Sequence, residues 1–91
     1  MKPARLDALF ARCEGAYAER TLRSYRADLD LFVAWCAGRA AGWLPAEPAD
    51  VATFLDGEAT RHRFSTVRRR LSAIGFAHRL ADLPDPSRHS E

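Results

Sequence analysis

An apolar stripe with the spacing of an α-helix runs from Leu22 to Cys36, and it constrains the fold of this 91-residue chain more than any other feature. At about 100° per residue, its members fall on one face about 100° wide. They are Leu22, Tyr25, Leu29, Phe32, Val33 and Cys36. The stripe predicts a helix from about Arg20 to Ala37. Leu31 and Trp35 lie off the stripe, which predicts that this helix is central and is contacted from two sides.

Glycine and proline divide the rest of the chain into three more helical segments. The first begins at about Pro3, because Pro suits a first helical turn. It runs to Cys13 or Glu14, and Gly15 ends it. The third covers about 48–55 and the fourth 65–81, where Asp82 stands in the place of a helix-ending glycine. No segment sustains the period-two alternation of a strand. We therefore predict an all-α fold, a compact bundle of four main helices.

The same patterns predict which side chains form the core and which face water. The expected core consists of Phe10, Tyr17, Leu29, Phe32, Trp35, Phe54, Leu71 and Ile74. We interpret Cys13 and Cys36 as small buried hydrophobes, and His78 as a hydrogen-bonded histidine at the edge of the core rather than a ligand or base. Solvated faces are expected for the acids of helices 2 and 3, namely Asp28, Asp30, Asp50, Asp56 and Glu58.

Length and composition exclude several classes of protein. Ninety-one residues make one domain, and 47% hydrophobic with 29% charged residues is typical of a folded protein in solution. No apolar run approaches the roughly 20 residues needed to cross a bilayer, and no signal peptide opens the chain, so we expect a cytoplasmic protein without a membrane partner. No histidine has a His or Cys three or four residues later, and no phosphate loop follows a strand. We predict no enzyme activity in this chain, no metal, no cofactor and no small-molecule substrate.

The charge is distributed unevenly along the chain. Residues 1–59 carry 7 basic and 9 acidic side chains, net −2, whereas residues 60–91 carry 7 basic and 3 acidic, net +4, which together give the overall +2. Thirteen of the 14 basic residues are arginine, and five of them lie between residues 61 and 70. Arginine suits phosphate and base-edge recognition, but a GC-rich genome also enriches it together with alanine. Both explanations remain open at this point.

Two predicted helix starts combine arginine with hydroxyl side chains. Thr21, Ser65 and Thr66 can cap their helices or donate to phosphate, while neighbouring arginines neutralise an anion at the positive end of the helix dipole. If helices 2 and 4 are neighbours, one surface aimed at a major groove can contain Arg23, Ser24, Arg68 and Arg69. Arg70 lies nearest the core stripe. The alternative is that these charges only make the surface soluble.

Four segments carry a resemblance to a known family. They are 21–36 (TLRSYRADLDLFVAWC), 43–55 (WLPAEPADVATFL), 65–74 (STVRRRLSAI) and 78–87 (HRLADLPDPS). Together they resemble the N-terminal core-binding (SAM-like) domain of tyrosine site-specific recombinases, the phage integrase family.

The resemblance implies half of a C-shaped clamp around double-stranded DNA, with helices 2 and 4 over the major groove. By position it implies groove contacts for Arg23, Ser24 and Arg69 and phosphate contacts for Thr21, Ser65 and Thr66. Arg63 is expected to contact phosphate without regard to sequence.

The resemblance also has implications for assembly and chain organisation. Helix 1, with Leu6, Leu9 and Phe10, resembles an element that meets sister protomers in a synaptic complex, although a local core role is an equal alternative. Residues 1–86 would form the DNA-binding domain and 87–91 the start of a linker to a catalytic domain outside this chain. The host would be a prokaryote. Tyr17 and Tyr25 lie on apolar stripes and are not expected to be the catalytic nucleophile.

A second function from another class stays open. The low net charge, the apolar residues of helix 1 and Trp43 are also compatible with a helical protein–protein interaction domain that does not bind DNA. In that case association of the protein with itself or a partner would not respond to DNA.

Overall fold

The computed structural model describes residues 4–88, and within them the chain forms four α-helices and one 3₁₀ turn without any strand. The elements are α1 (Ala4–Ala11), α2 (Glu19–Gly38), α3 (Pro48–Ala59), α4 (Phe64–Leu80) and the 3₁₀ turn Pro86–Arg88. The predicted all-α fold is confirmed. The predicted helix start at Pro3 and the last three residues of the predicted linker lie outside the described residues. No helix over this range is long and apolar enough to span a membrane.

The first helix is shorter than predicted. It ends at Ala11 rather than Cys13 or Glu14. The backbone N–H of Cys13 donates to the carbonyl of Phe10, and the N–H of Ala16 donates to Cys13, so the chain continues as successive tight turns. Gly15 takes a φ of +85° there, a conformation that glycine adopts without steric cost. The helix therefore ends two or three residues earlier than the position of Gly15 predicts.

Helices α2 and α4 end in the same backbone motif. A residue with positive φ follows each helix, Ala40 at +55° and Asp82 at +61°. After α4, the N–H of Leu83 donates to the carbonyl of His78 at 2.8 Å, and after α2 the N–H of Ala41 donates to Cys36 at 2.9 Å. These six-to-one bonds define Schellman caps, which satisfy carbonyls left over at the helix ends. The expectation that Asp82 replaces a helix-ending glycine is confirmed.

The core lies between α2, α4, α1 and α3, and most of the predicted core is confirmed. Phe10, Leu29, Phe32, Phe54 and Ile74 are buried, whereas Trp35 and Leu71 are half-buried against them.

Two predictions about apolar side chains are wrong. Tyr17 is 48% exposed because it lies on the turn after α1 and touches Phe76 only edge-on, with 5.3 Å between the ring centroids. Leu31 is 49% exposed, so of the two off-stripe residues only Trp35 is packed, against Phe32 and Phe54.

Helices α2 and α4 form the most extensive helix pair and run in opposite directions. Early in α2, the ring of Tyr25 lies 5.0 Å from Phe76, late in α4. One turn further along α2, Asp28 meets Arg69, two turns earlier in α4. The start of α2 therefore lies beside the end of α4, and the start of α4 lies beside the second half of α2.

His78, which was predicted at the edge of the core, and the two cysteines all lie within the core. His78 and the two cysteines are at most 2% exposed. Burial raises the pKa of both thiols, that of Cys36 to about 11, so each is a neutral thiol at physiological pH. The interpretation of the cysteines as small buried hydrophobes is confirmed.

Candidate nucleic-acid interface

The exposed side of α4 next to α2 carries a short row of polar side chains. Ser65, Arg69 and Ser72 are spaced by four and three residues, so at about 100° per residue they share one side of the helix, about 60° wide. All three are exposed. Ser65 and Arg69 were predicted site residues, whereas Ser72 was not, although its spacing from them was the available signal.

A matching row lies on the adjacent side of α2. Ser24, Asp28 and Leu31 share the same four-and-three spacing and also cover about 60°. Ser24 is half-buried and Leu31 is exposed, whereas Asp28 is only 2% exposed. The two rows therefore flank one crossing of α2 with α4.

The two rows meet at an ion pair between Asp28 and Arg69. Nε and Nη2 of Arg69 donate to the two oxygens of the Asp28 carboxylate at 2.8 and 3.0 Å. These hydrogen bonds raise the pKa of Arg69, which stays charged. The carboxylate is buried while the arginine side chain is 47% exposed, so the guanidinium is held from behind and reaches the surface.

The expectation that Asp28 and Glu58 lie on solvated faces is wrong. Both are buried, because α4 supplies their charge partners. Nη1 of the buried Arg70 lies 2.7 Å from Glu58, and Nε of Arg70 lies 3.9 Å from Asp28. Arg61 adds a second bond to Glu58 at 2.8 Å. This charge network, Asp28, Glu58, Arg61, Arg69 and Arg70, joins α2, α3 and the start of α4.

The position of Arg70 agrees with the sequence analysis, which placed it nearest the core stripe. It is 7% exposed, and its Nε is a buried donor without a hydrogen-bond partner among the described residues. A buried guanidinium is tolerated where carboxylates compensate its charge. Its ion pairs connect α4 with α2 and α3 beneath the surface that Arg69 reaches.

The two arginine–hydroxyl helix starts lie at opposite ends of the α2–α4 pair, so they do not form one cluster. They also differ in charge. The first turn of α4, residues 64–67, contains no acid, whereas the first turn of α2 contains Glu19. Oε2 of Glu19 lies 3.7 Å from Nη2 of Arg23, so the negative charge of Glu19 offsets the positive charge of Arg23. The start of α4 is therefore the stronger site for an anion.

The predicted capping role of the three hydroxyls is not what the structure shows. The N-cap residues are Ala18 and Arg63, and neither makes a side-chain cap hydrogen bond within the described part of the chain. Thr21, Ser65 and Thr66 lie inside the first turns, at the second or third helical position. Their predicted contact with phosphate stays a prediction.

Arg23 points away from the α2–α4 crossing. It lies about 100° around the helix from Ser24. Its side chain is 74% exposed and lines an open cavity of about 550 Å³ between α1 and α2, together with Arg26, which is ion-paired to Asp7 of α1. The structure thus separates Arg23 from Arg69, and its predicted groove contact stays a prediction.

Arg68 lies on the outer flank of the α4 row. Its guanidinium carbon is 6.0 Å from the centroid of the Phe64 ring, which is itself 75% exposed. This exposed ring lies within cation–π reach of an arginine, a contact that was not predicted from the sequence. Arg63, which precedes Phe64, is also exposed.

The three residues predicted to meet sister protomers belong to the core of this chain. Leu6, Leu9 and Phe10 are 0, 6 and 9% exposed. Their predicted contact with another protomer stays a prediction. Among the described residues, no group of three or more His, Cys, Asp or Glu side chains is arranged to hold a metal ion.

The four-helix fold defines a small SAM-like all-α domain. The chain belongs to the family described as the phage integrase N-terminal SAM-like domain, whose model matches residues 7–81. The resemblance predicted from the sequence is thereby confirmed.

Two curated relatives that the chain matches are recombinases by name. An integrase/recombinase XerD homolog of Selenomonas ruminantium is 33% identical over 67 residues, 74% of this chain and 20% of the relative. The Cre recombinase of Escherichia phage P1 is 32% identical over 73 residues, 79% of this chain and 21% of that protein. The chain thus spans about one fifth of the length of these relatives.

Proposed function

We propose that this chain is the DNA-binding domain of a tyrosine recombinase or integrase, and that it grips duplex DNA through α2 and α4 in the major groove. The observation that carries the proposal is Arg69, an exposed guanidinium fixed at the crossing of these helices. A major groove about 12 Å wide admits a helix surface of this kind. The family membership supplies the context of recombination.

The charge around the start of α4 supports the same surface. Arg61, Arg63 and Arg68 are exposed there, and the first turn of the helix carries no acid. Phosphate contacts favour arginines and the backbone N–H groups of helix starts. In this proposal Arg63, Arg68, Ser65 and Thr66 bind the phosphate backbone on one side of the groove, and Arg69 faces the bases.

On α2, Ser24 contacts the major groove and Thr21 contacts the phosphates at its rim. Thr21 lies beside Tyr25, Arg79 and Leu80, where α2 starts next to the end of α4. Arg23 lies on the far side of α2, so it reaches DNA only if the duplex also covers the α1 side. Replacement of Arg23 therefore tests how far the interface extends.

The same proposal includes the larger protein. The named relatives are recombinases between three and four times the length of this chain, so we propose that the domain serves a DNA strand-exchange enzyme of a prokaryotic cytoplasm. Sister protomers on the same DNA are its protein partners. The catalytic Arg, His and Tyr of that enzyme would belong to a part of it other than this domain. An Arg…His-x-x-Arg…Tyr series in the adjoining reading frame would support this proposal.

Titration of duplex DNA at several salt concentrations tests DNA binding. If about five phosphates are contacted, the slope of log K against log salt is about −4 to −5. A slope of zero contradicts the proposal. Association of the protein that is indifferent to DNA, measured by light scattering, would instead support the protein–protein interaction domain.

Alanine variants locate the interface. Arg63→Ala and Arg68→Ala should each make the slope less steep by about 1 and weaken all sequences alike, whereas Arg69→Ala should relax sequence preference. Arg12→Ala is the matched control, because Arg12 is an exposed arginine in the turn after α1. Equal losses for all four variants would contradict the assignment of α4 to the interface.

A further inference from the structure

The hydrogen bonds of Arg69 leave a defined set of donors for a ligand. A guanidinium has five N–H groups in a rigid plane. Asp28 takes the Nε–H and one N–H of Nη2, which form the side edge of the fork. The three that remain are both N–H groups of Nη1 and the second N–H of Nη2. One from each nitrogen forms the end of the fork, opposite the Cζ–Nε bond.

The carboxylate that holds this edge is itself fixed. Asp28 is 2% exposed on α2, and the buried Arg70 lies behind it with Nε 3.9 Å from its Oδ1. Arg70 is held in turn by Glu58 of α3 at 2.7 Å. Arg69 is thus positioned by a chain of charges through three helices rather than left to sample rotamers in solvent. Such fixing reduces the side-chain entropy that is lost when the fork binds.

We propose that Asp28 is a positioning residue that presents the end of the Arg69 fork to a guanine in the major groove, so that this pair specifies G·C at one position of the DNA site. The inference rests on the proposed function. Two adjacent donors match the two acceptors N7 and O6 that guanine shows in that groove. Adenine offers a donor in place of the second acceptor, and cytosine offers only a donor. Phosphate binding alone would not require a fixed orientation of the fork.

Selection from a randomised duplex library, with sequencing of the bound fraction, measures the preference of the 91-residue chain at every position. The wild type should prefer guanine at one position by at least about fivefold over adenine. Arg69→Lys keeps the charge but lacks the fork, so this preference should fall below about twofold while the salt slope is unchanged. Asp28→Asn should have the same effect, and the double variant should lose no more than either single one.

Arg12→Lys is the matched control, because Arg12 is an exposed arginine in the turn after α1, outside the proposed interface. Its guanine preference should equal that of the wild type. Circular dichroism confirms that each variant is folded. If Asp28→Asn unfolds, Arg69→Lys carries the test alone, because the Arg69 side chain is half-exposed.

The outcomes separate the two proposals. Guanine preference that survives both Arg69→Lys and Asp28→Asn overturns the inference and leaves the proposed function standing. Wild-type binding without any base preference has the same meaning. Absence of salt-dependent duplex binding overturns the proposed function itself.

Discussion

His78 of α4 accepts a hydrogen bond of 2.9 Å at Nε2 from the backbone N–H of Ala46, in the loop that leads into α3. The other ring nitrogen, Nδ1, lies 2.8 Å from the carbonyl of Ile74, one turn earlier in α4, and donates to it. Nε2 accepts only when it carries no proton, so this arrangement requires the neutral imidazole. Burial lowers the pKa of His78 in agreement with that requirement.

Stability should therefore fall as the pH is lowered through the region of histidine titration. The pKa of His78 is lower in the folded than in the unfolded chain, where it is about 6.5, so below that pH the unfolded state binds the extra proton. The loss approaches at most about 1.4 kcal/mol per pH unit and is absent above pH 7.5. Urea denaturation at pH 7.5, 6.5 and 5.5 measures it.

His78→Gln removes the titrating group, so its unfolding free energy should change less between pH 7.5 and 5.5 than that of the wild type. His62→Gln is the control, because His62 is at the surface in the loop before α4. If the wild type and His78→Gln lose equal stability over this range, His78 is not the group responsible.

The helices and His78 were predictable because their signals are local. Apolar spacing defines α2, and the position of His78 on the stripe of α4 already placed it at the core. Asp28 and Glu58 were not predictable in this way, because their partners come from elsewhere in the fold. Arg69 is 41 residues from Asp28, and a helical wheel of α2 contains no information about it.

The candidate site shows the same division. Arg69 and Ser65 follow from their spacing on α4, but the separation of Arg23 from Arg69 depends on which side of α2 packs against α4. Single-helix patterns do not determine that packing, since two helices with apolar stripes can pair in either direction. The antiparallel arrangement became visible only from the contacts of Tyr25 with Phe76 and of Asp28 with Arg69.

Ala40 offers a stabilising substitution at the end of α2. Its φ of +55° costs an L-residue with a Cβ about 1–2 kcal/mol. Ala40→Gly removes this strain but increases the entropy of the unfolded chain, so we expect a net gain of about 0.5–1 kcal/mol. Ala37→Gly, at an exposed position within the helix, should instead lose about 1 kcal/mol. Thermal unfolding of both variants checks the opposite signs, and a loss for Ala40→Gly would contradict the interpretation.

Two helical glycines should respond in opposite ways to alanine. A Cβ at Gly75 in α4 would lie 2.7 and 2.8 Å from the carboxylate oxygens of Asp85. That side chain is 6% exposed and is held by Arg79 at 2.6 Å and by the N–H of Ser87 at 2.8 Å, so it has little room to move. Gly75→Ala should therefore lose about 1–3 kcal/mol of stability, by overpacking.

Gly57 in α3 is the matched control, because a Cβ there meets nothing within 4 Å. Gly57→Ala should gain up to about 1 kcal/mol from helix propensity. Denaturant unfolding of the two single variants provides the comparison. Addition of Asp85→Ala to Gly75→Ala should remove most of the packing penalty, and an additive double variant would show that the clash is not its cause.

Arg70 should matter most for stability among the arginines of α4. Its side chain is 8% exposed and bonds Glu58 at 2.7 Å, so Arg70→Met leaves the buried Asp28 and Glu58 carboxylates short of a positive charge. Removal of one partner of a buried ion pair costs about 3–5 kcal/mol, and Arg61 and Arg69 reduce the loss to about 3 kcal/mol by compensating part of it. Arg68→Met, at an exposed position, should change stability by less than about 0.5 kcal/mol.

A double variant tests whether the ion pair itself is responsible. Each single change, Glu58→Gln or Arg70→Met, leaves the other residue of the pair buried without its partner, so the double variant should lose less stability than the sum of the two single variants. Equal unfolding free energies for Arg70→Met and Arg68→Met would show that the charge network does not stabilise the fold.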